Sequence, residues 1–350
     1  MPALAVADAL RAEDAEVFFL GARDRAEAEL VPAAGYEIEL LDVRGLDRRN
    51  PLKAAAAVGL AARAVPAVRR ALRARAAEVV LGGGGYVAGP AGLAALRERL
   101  PLVLTEADRH LGLANRLLAG RARRVCLAFP IAGREGDRYV VTGRPVPASI
   151  LAADREAARR RFGIAPSEPC LLVFGGSQGA RSINLAALDA FAGGSDPPRS
   201  FHILHVTGRR DYALARERLE AAGGVERYTL IEYEPSLADV LAACDLVLAR
   251  AGGSIFELAA AGRPGILVPY PHAAGDHQGL NAAWMAEAGA ALVIEDAGLE
   301  PQSVAETAAG LLSDPDRLRA MAAASASLAR PDAAGHVATE VLAASRETRG

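Results

Sequence analysis

A chain of 350 residues exceeds one average domain, and its composition, half hydrophobic and rich in alanine, supplies core for two of comparable size. A net charge of -2 argues against general nucleic-acid binding, no signal peptide is visible, and no uncharged run reaches the roughly 18 residues of a membrane span. Cys126, Cys170 and Cys244 lie far apart in or beside apolar runs, which fits neither a disulfide framework nor metal spacing and reads as buried thiols in a reducing cytosol.

The chain opens on MPALAVADAL, where Pro2 and the Ala, Leu and Val after it at helical spacing predict a helix, with a strand following over 16–20. An α/β chain ordinarily enters through a strand, so a strand feeding this helix is expected and not found. Apolar runs then recur at EVFFL, YEIELL, EVVLG, PLVLT, RRVCLAF and RYVVTG. Among them, 44–75 carries Arg44, Arg48, Arg49, Lys53, Arg63, Arg69, Arg70, Arg73 and Arg75, opposed within the stretch only by Asp47. These bases mix with Leu, Val and Ala at helical spacing. They form either a solvated helix face or a face resting on anionic lipid, where each base adds about 1 kcal/mol.

After GRPVPASILAADREAARRRFG the cycle restarts with CLLVF, FHILHV, YTLIEY, DLVLA, GILVP and ALVIE. Continuous apolar runs separated by helices are the pattern of parallel strands covered on both faces. Two such series predict two doubly wound domains, 1–146 and 147–331, with ligands bound beyond the carboxyl ends of the strands in a cleft between them. From about 300 the chain is helical. Pro331 and Gly335 interrupt it, and a last helix near 337–344, within 332–350, is a candidate to pack back on the first domain.

Three stretches of the second series carry chemistry. In CLLVFGGSQGARSIN a buried strand runs into Gly175, Gly176 and Ser177, and a helix starts near Gly179. Helix-start N–H groups and the Ser177 hydroxyl suit a phosphate, although a tight strand-to-helix turn needs glycine in any case. DLVLARAGGSIFELAAAG repeats the device: Arg250, the turn Gly252-Gly253-Ser254, then a helix with Glu257 one turn in. Arginine with a helix N-terminus suits a diphosphate, and a carboxylate can accept two neighbouring sugar hydroxyls. The alternative is a surface ion pair between Arg250 and Glu257. In PYPHAAGDHQGLNAAWM, Asp276, His277, Gln278 and Asn281 crowd a helix start, to bind a hexose or to cap the helix. Neither His272 nor His277 has a metal-like partner set.

GGSQGAR, RAGGSIFELAAAG, VPYPH and DHQGLNA, in this order and at these separations, resemble the MurG family. Its members are membrane-associated transferases that add N-acetylglucosamine from UDP-GlcNAc to the muramyl sugar of the polyprenyl-linked peptidoglycan precursor. RAEAELVPAAGYEIELLDVRGL, VVLGGGGYVAGPAGLAA, LTEADRHLGLANRLLA and AFP follow the family's order too, so the similarity spans nearly the whole chain. The resemblance implies an α/β fold of GT-B type, two Rossmann-like doubly wound parallel-sheet domains facing across a cleft, and an inverting hexosyltransferase that needs no cofactor or metal.

Carried over residue by residue, the resemblance implies that Glu257 holds the ribose hydroxyls. Ser177, with Arg250, Gly252 and Gly253, faces the diphosphate, His277 and Gln278 face the transferred sugar, and Gln178 is a further substrate-binding residue. Tyr233 and the backbone of Glu234 line the uracil pocket. The acceptor side, a polyprenyl-diphosphate-linked muramyl peptide, is bounded by 82–90, with Gly84, Gly85 and Tyr86, and by 105–110, with Asn115 beyond. Glu106 is the first candidate for the general base, with Asp108 and His110 behind it. The implied place is the cytoplasmic face of the bacterial cell membrane, held peripherally on an anionic surface, with no nucleic-acid partner.

The chain departs from the family at several points. Thr105-Glu106-Ala107-Asp108 stands where the family usually has His-Glu-Gln-Asn, Pro147 stands where it has an arginine, and 252–257 is one residue shorter. Family members also begin with a strand and a glycine-rich, histidine-containing loop just before the segment resembling PALAVADAL. The expectation is that this strand and loop were lost in the choice of start codon. Rival readings are another GT-B nucleotide-sugar enzyme, a glycolipid glycosyltransferase or a UDP-GlcNAc 2-epimerase, and a non-catalytic UDP-sugar-binding protein.

Overall fold

All strand pairings among the described residues are parallel, in a computed structural model that describes 2–45, 51–176, 179–193, 200–223 and 226–347. The chain divides into two α/β units, one of Met1–Pro147 with Arg330–Gly350 and one of Ala148–Ala329.

In the first unit α1 (Pro2–Ala12) leads into β1 (Phe18–Ala22), α2 (Glu27–Ala33), β2 (Glu37–Leu41) and α3 (Pro51–Ala74). There follow β3 (Val80–Gly82), α4 (Gly85–Arg97), β4 (Leu102–Glu106), α5 (Leu113–Leu118), β5 (Arg124–Leu127) and β6 (Tyr139–Val141). The inner strand β4 is apolar over its first three residues because both of its faces are covered. Leu102 and Leu104 enter a cluster with Val65, Val68 and Leu72 of α3 and Ala91, Ala94 and Ala95 of α4. Val103, between them, alternates to the other face and meets Val6 and Leu10 of α1 with Val337 and Val341 of the C-terminal helix, Ala333–Arg346. That last helix thus belongs to the first unit and packs on α1.

The single sheet expected of this unit is instead two. β1 pairs with β2 in one ladder, and β3, β4, β5 and β6 form another. Side-chain packing and ladder pairing have come apart here: Phe18, Leu20 and Ala22 of β1 share a cluster with Val80 of β3, yet among the described residues no backbone hydrogen bond joins the two strands.

The charge reading of 44–75 also changes. Glu98, just past α4, accepts from both Arg69 and Arg73, and Arg75 pairs with Glu37 and Glu39 of β2. The two arginines hold the Glu98 carboxyl below its usual range through their hydrogen bonds. Opposing charge reaches the basic stretch from elements outside it, leaving Arg63 and Arg70 exposed on α3. Arg48 and Arg49 lie outside the described residues.

The second unit runs α6 (Ala148–Ala152), α7 (Arg155–Phe162), β7 (Cys170–Phe174), α8 (Arg181–Phe191), β8 (His202–Val206), α9 (Tyr212–Ala221), β9 (Tyr228–Ile231), α10 (Leu237–Ala243) and β10 (Leu246–Ala249). It continues with α11 (Ile255–Ala260), β11 (Gly265–Leu267), α12 (His277–Glu287), β12 (Ala291–Val293), α13 (Pro301–Leu312) and α14 (Pro315–Ser327). One six-stranded sheet holds these strands in the order β12-β11-β10-β7-β8-β9. The winding reverses between β7 and β10, so the crevice beyond their carboxyl ends is where an open sheet of this kind takes a ligand.

A charged cluster closes the opposite end of this sheet. Asp245, one residue before β10, accepts from Arg155 and Arg159 and from the Cys170 N–H. Arg159 is 2% exposed and also donates to the carbonyls of Ala165, Pro166, Glu168 and Ala243. The three cysteines are buried and free, and burial pushes the Cys126 and Cys244 thiols up to about 12.

Candidate functional site

At the crevice of the second unit, β7 ends at Phe174 and α8 begins at Arg181. A Cβ on Gly175 would lie 2.0 Å from the Ala180 amide nitrogen. One on Gly179, whose φ is +71°, would lie 2.4 Å from the Thr207 carbonyl oxygen. The fold therefore imposes glycine at both positions, whatever binds there. The Gly179 N–H is spent on the Gly176 carbonyl at 2.9 Å. Ser177 and Gln178 lie outside the described residues.

The second turn, after β10, is assembled by contributions from three connections. Asn281 of α12, buried, donates from Nδ2 to the Ala251 carbonyl at 3.0 Å. Gln278, one turn earlier, accepts the Tyr270 N–H at 3.0 Å, and its Nε2 lies 3.8 Å from where a Gly252 Cβ would stand. Gly252, Gly253, Glu257, His277 and Gln278 are all partly buried, so the DHQGLNA helix start does meet the RAGGS turn. Asp276 occupies the N-cap position of α12 in the left-handed region, φ 52°, and makes no side-chain cap bond; its carboxylate lies against Gly279.

Arg250, expected to face a diphosphate, is bonded within the unit. Its Nη1 is 2.6 Å from Asp296 Oδ1 and reaches the Val268 and Pro269 carbonyls at 3.2 Å, while Nη2 donates to Ser182 Oγ at 2.7 Å. The charge is compensated inside the unit because Asp296, distant in sequence, arrives after β12.

Tyr233, 44% exposed, follows β9 with the Arg209 guanidinium 4.9 Å from its ring centroid. The Glu234 carboxylate is used locally: it pairs with Arg161 of α7 at 2.6 Å and accepts the Ser236 N–H at 2.9 Å. Its backbone remains the part of Glu234 available to a ligand.

Beneath the first turn lies a polar network that sequence reasoning missed. Asn184 Nδ2 donates to the Thr207 carbonyl and to Asp211, both at 2.9 Å. Its Oδ1 must then accept from His205 Nε2, 3.1 Å away, which leaves His205 Nδ1 to accept the Tyr228 hydroxyl proton at 2.7 Å. Complete burial lowers the His205 pKa from 6.5 to about 3. An unfolded chain takes up this proton below about pH 6.5 and the folded one only near 3, so stability is present above 6.5 and is lost as pH falls toward 3. Urea unfolding followed by the fluorescence of Trp284, the single tryptophan, should show this loss between pH 6.5 and 4, and the slope should flatten in His205→Gln.

In the first unit, β3 ends in a turn where Gly84 and Gly85 have φ of +77° and +71°, and α4 starts at Gly85 without a side-chain cap. Asn115 of α5 is 1% exposed. Its Nδ2 donates to the Thr105 carbonyl and Glu106 Oε2, both at 2.9 Å, and lies 3.9 Å from a Gly84 Cβ position. Among the described residues the Asn115 Oδ1 is buried without a partner. The exposed Tyr86 ring stacks beneath Arg25 and closes on Gly45.

Glu106 is saturated. Oε1 accepts the N–H groups of Ala107 and Asp108 at 3.0 and 3.2 Å, and Oε2 accepts Gly112 N–H at 2.7 Å beside Asn115. Four donors occupy the lone-pair positions of one carboxylate. The residue expected first as a base is thus the anchor of the loop 107–112. Asp108 is partly buried and His110 exposed, and among the described residues neither side chain has a hydrogen-bond partner. Among the described residues no group of three or more His, Cys, Asp or Glu is placed to hold a metal ion.

The glycosyltransferase family 28 N-terminal domain matches residues 1–127 and the family 28 C-terminal domain matches 170–337. The UDP-N-acetylglucosamine--N-acetylmuramyl-(pentapeptide) pyrophosphoryl-undecaprenol N-acetylglucosamine transferase of Moorella thermoacetica is 41% identical over 345 residues, which is 95% of this chain and 92% of that relative. The protein of the same name from Rubrobacter xylanophilus is 39% identical over 349 residues, 99% of this chain and all of the relative. The crystal structure of MurG from Acinetobacter baumannii matches with a TM-score of 0.75 at 27% identity, covering 98% of this chain and 95% of that one. UDP-GlcNAc 2-epimerase from Neisseria meningitidis, at 16% identity and a TM-score of 0.68 over 97% and 95% of the two chains, shares the fold alone.

Proposed function

The chain belongs to the MurG family of glycosyltransferase family 28, and from that premise we propose that it moves N-acetylglucosamine from UDP-GlcNAc to the muramyl sugar of a polyprenyl-diphosphate-linked peptidoglycan precursor. The observation that carries the donor site is the seating of Gln278 and Asn281 on the turn at Ala251-Gly252, at the point where the sheet's winding reverses. There Glu257 takes the ribose hydroxyls, Ser177 with the Gly252-Gly253 turn meets the diphosphate, and His277 and Gln278 face the sugar. Tyr233 and the Glu234 backbone receive uracil. On the first unit Gly84, Gly85, Tyr86 and Asn115 attend the acceptor.

The acceptor hydroxyl attacks the anomeric carbon opposite the diphosphate, the bond from that carbon to the diphosphate oxygen breaks, and the configuration inverts as UDP leaves. Backbone N–H groups of the glycine turns stabilise the charge growing on the diphosphate. The acceptor proton passes to Asp108, because the Glu106 oxygens are already engaged. No metal enters this reading.

Transfer of labelled N-acetylglucosamine from UDP-GlcNAc to a short-chain lipid acceptor is the test, and UDP binding without transfer selects the non-catalytic rival. Glu257→Ala should weaken UDP-GlcNAc about ten- to hundredfold through the loss of two ribose hydrogen bonds. An unchanged affinity removes Glu257 from the site.

Among the described residues no helix is long and apolar enough to cross a membrane. We place the protein peripherally on the cytoplasmic membrane face, held by the first unit. Arg63 and Arg70 contribute there, since Arg69 and Arg73 are engaged with Glu98. Changing Arg63 and Arg70 to glutamine should lower binding to anionic vesicles at moderate salt and leave UDP affinity alone. Equal vesicle binding makes this a solvated face.

A further inference from the structure

Ser182 of α8, Arg250 just past β10 and Asp296 after β12 close a ring of two hydrogen bonds and one ion pair. Arg250 Nη2 donates to Ser182 Oγ at 2.7 Å, Ser182 Oγ donates to Asp296 Oδ1 at 2.8 Å, and the same oxygen lies 2.6 Å from Arg250 Nη1. The side chains are largely withdrawn from solvent, at 12% exposure for Arg250 and 23% for Asp296. Arg250 stands at the end of β10, immediately before the Gly252-Gly253 turn; Ser182 is in the first turn of α8, immediately after the 175–180 turn. The Tyr270 ring lies 5.4 Å from the guanidinium carbon, and the Val268 and Pro269 carbonyls take its remaining Nη1 reach.

We propose that Asp296 is a positioning residue for donor binding: through Arg250 and Ser182 it fixes the first turn of α8 against the turn after β10. This rests on the donor site assigned above. A guanidinium so enclosed carries little uncompensated charge toward a ligand, but it ties together the two glycine turns whose separation a diphosphate would have to match. A charge-assisted ring of three is suited to that task because each member touches the other two, and the Val268 and Pro269 carbonyls hold Arg250 from outside it.

The alternative, that Arg250 itself binds the diphosphate and Asp296 merely competes for it, predicts the opposite sign. UDP binding by calorimetry and steady-state kinetics with UDP-GlcNAc separate the two in the full chain. Under the proposal, Asp296→Asn raises the KM for UDP-GlcNAc and the UDP dissociation constant about tenfold with kcat changed less than about twofold. Ser182→Ala moves both in the same direction, and the double variant is no worse than Asp296→Asn alone, since the two share one ring. Asp296→Glu recovers part of the loss. Tighter or unchanged UDP binding in Asp296→Asn, with Trp284 fluorescence showing a native fold, overturns the proposal. If that variant does not fold, Ser182→Ala decides it by the same two readings. UDP binding that survives Glu257→Ala instead overturns the donor site itself.

Discussion

Replacing Asp245 by alanine is expected to cost about 3–5 kcal/mol of unfolding free energy, the range for removing one partner from a buried ion pair. The loss strands Arg159, whose guanidinium is almost fully enclosed and whose only carboxylate partner among the described residues is Asp245. It also leaves the Cys170 N–H without its acceptor at the start of β7, the strand at the middle of the sheet. Against a typical domain stability of about 5–15 kcal/mol, the second unit would be close to melting at ordinary temperature. Arg155→Ala is the control. Arg155 is more exposed, so its loss should cost only about 0–1 kcal/mol. Urea titration followed at Trp284 reads both, and equal losses in the two variants would show that burial of Arg159 is not what makes the cluster matter.

Glu106→Gln should lower transfer about a hundredfold, the scale on which a displaced loop costs catalysis, while UDP binding by the second unit stays within twofold. Either orientation of the amide puts its NH2 group against two N–H donors, at Ala107 and Asp108 or at Gly112 and Asn115. One half of the anchor therefore turns repulsive and 107–112 loosens. The pH profile separates anchoring from proton transfer. With Asp108 as base, Glu106→Gln keeps the acid limb of kcat/KM at reduced height, and Asp108→Asn abolishes it. Loss of the limb in Glu106→Gln, with full activity in Asp108→Asn, would return the base to Glu106.

What the sequence discloses here is set by how local each cause is. Runs such as CLLVF and the LVLA of β10 declare parallel strands because burial on both faces leaves no polar residue in the run, and both form central strands of the six-stranded sheet. The glycine turns and the helix carrying Gln278 and Asn281 are legible for the same reason, since turn chemistry is written in neighbouring residues. The partners of Arg69 and Arg75 on α3 and just past it are not legible, because Glu98 and Glu37 approach from other elements. Arg250 looks free in its own segment and is compensated by Asp296, which nothing near it in sequence announces. Glu106 looks like a base until the four N–H groups that converge on it are in view. The run Arg159-Arg160-Arg161 gives no sign that its first member is buried and its second exposed. The GARSIN segment did hold a signal that was not used: Ser182 and Asn184, two small polar residues at the start of an apolar helix, are the ones that tie the turn to its surroundings.

The backbone contacts of Gly175 and Gly179 bear on how descent should be read in this fold. Both are held by steric necessity, one against Ala180 and one against the Thr207 carbonyl, independently of any substrate. A lineage that ceased to use a nucleotide sugar would therefore go on purging substitutions at these two positions, because each would cost stability before it cost activity. Gly252 is under no such compulsion: a Cβ there would meet Gln278 Nε2 at 3.8 Å, an ordinary van der Waals contact, and there is no left-handed backbone to maintain. Selection for turnover would be recorded at Gly252, Glu257 and Gln278, and its relaxation would show there first, while the more conspicuous glycine motif persisted as a relic of folding.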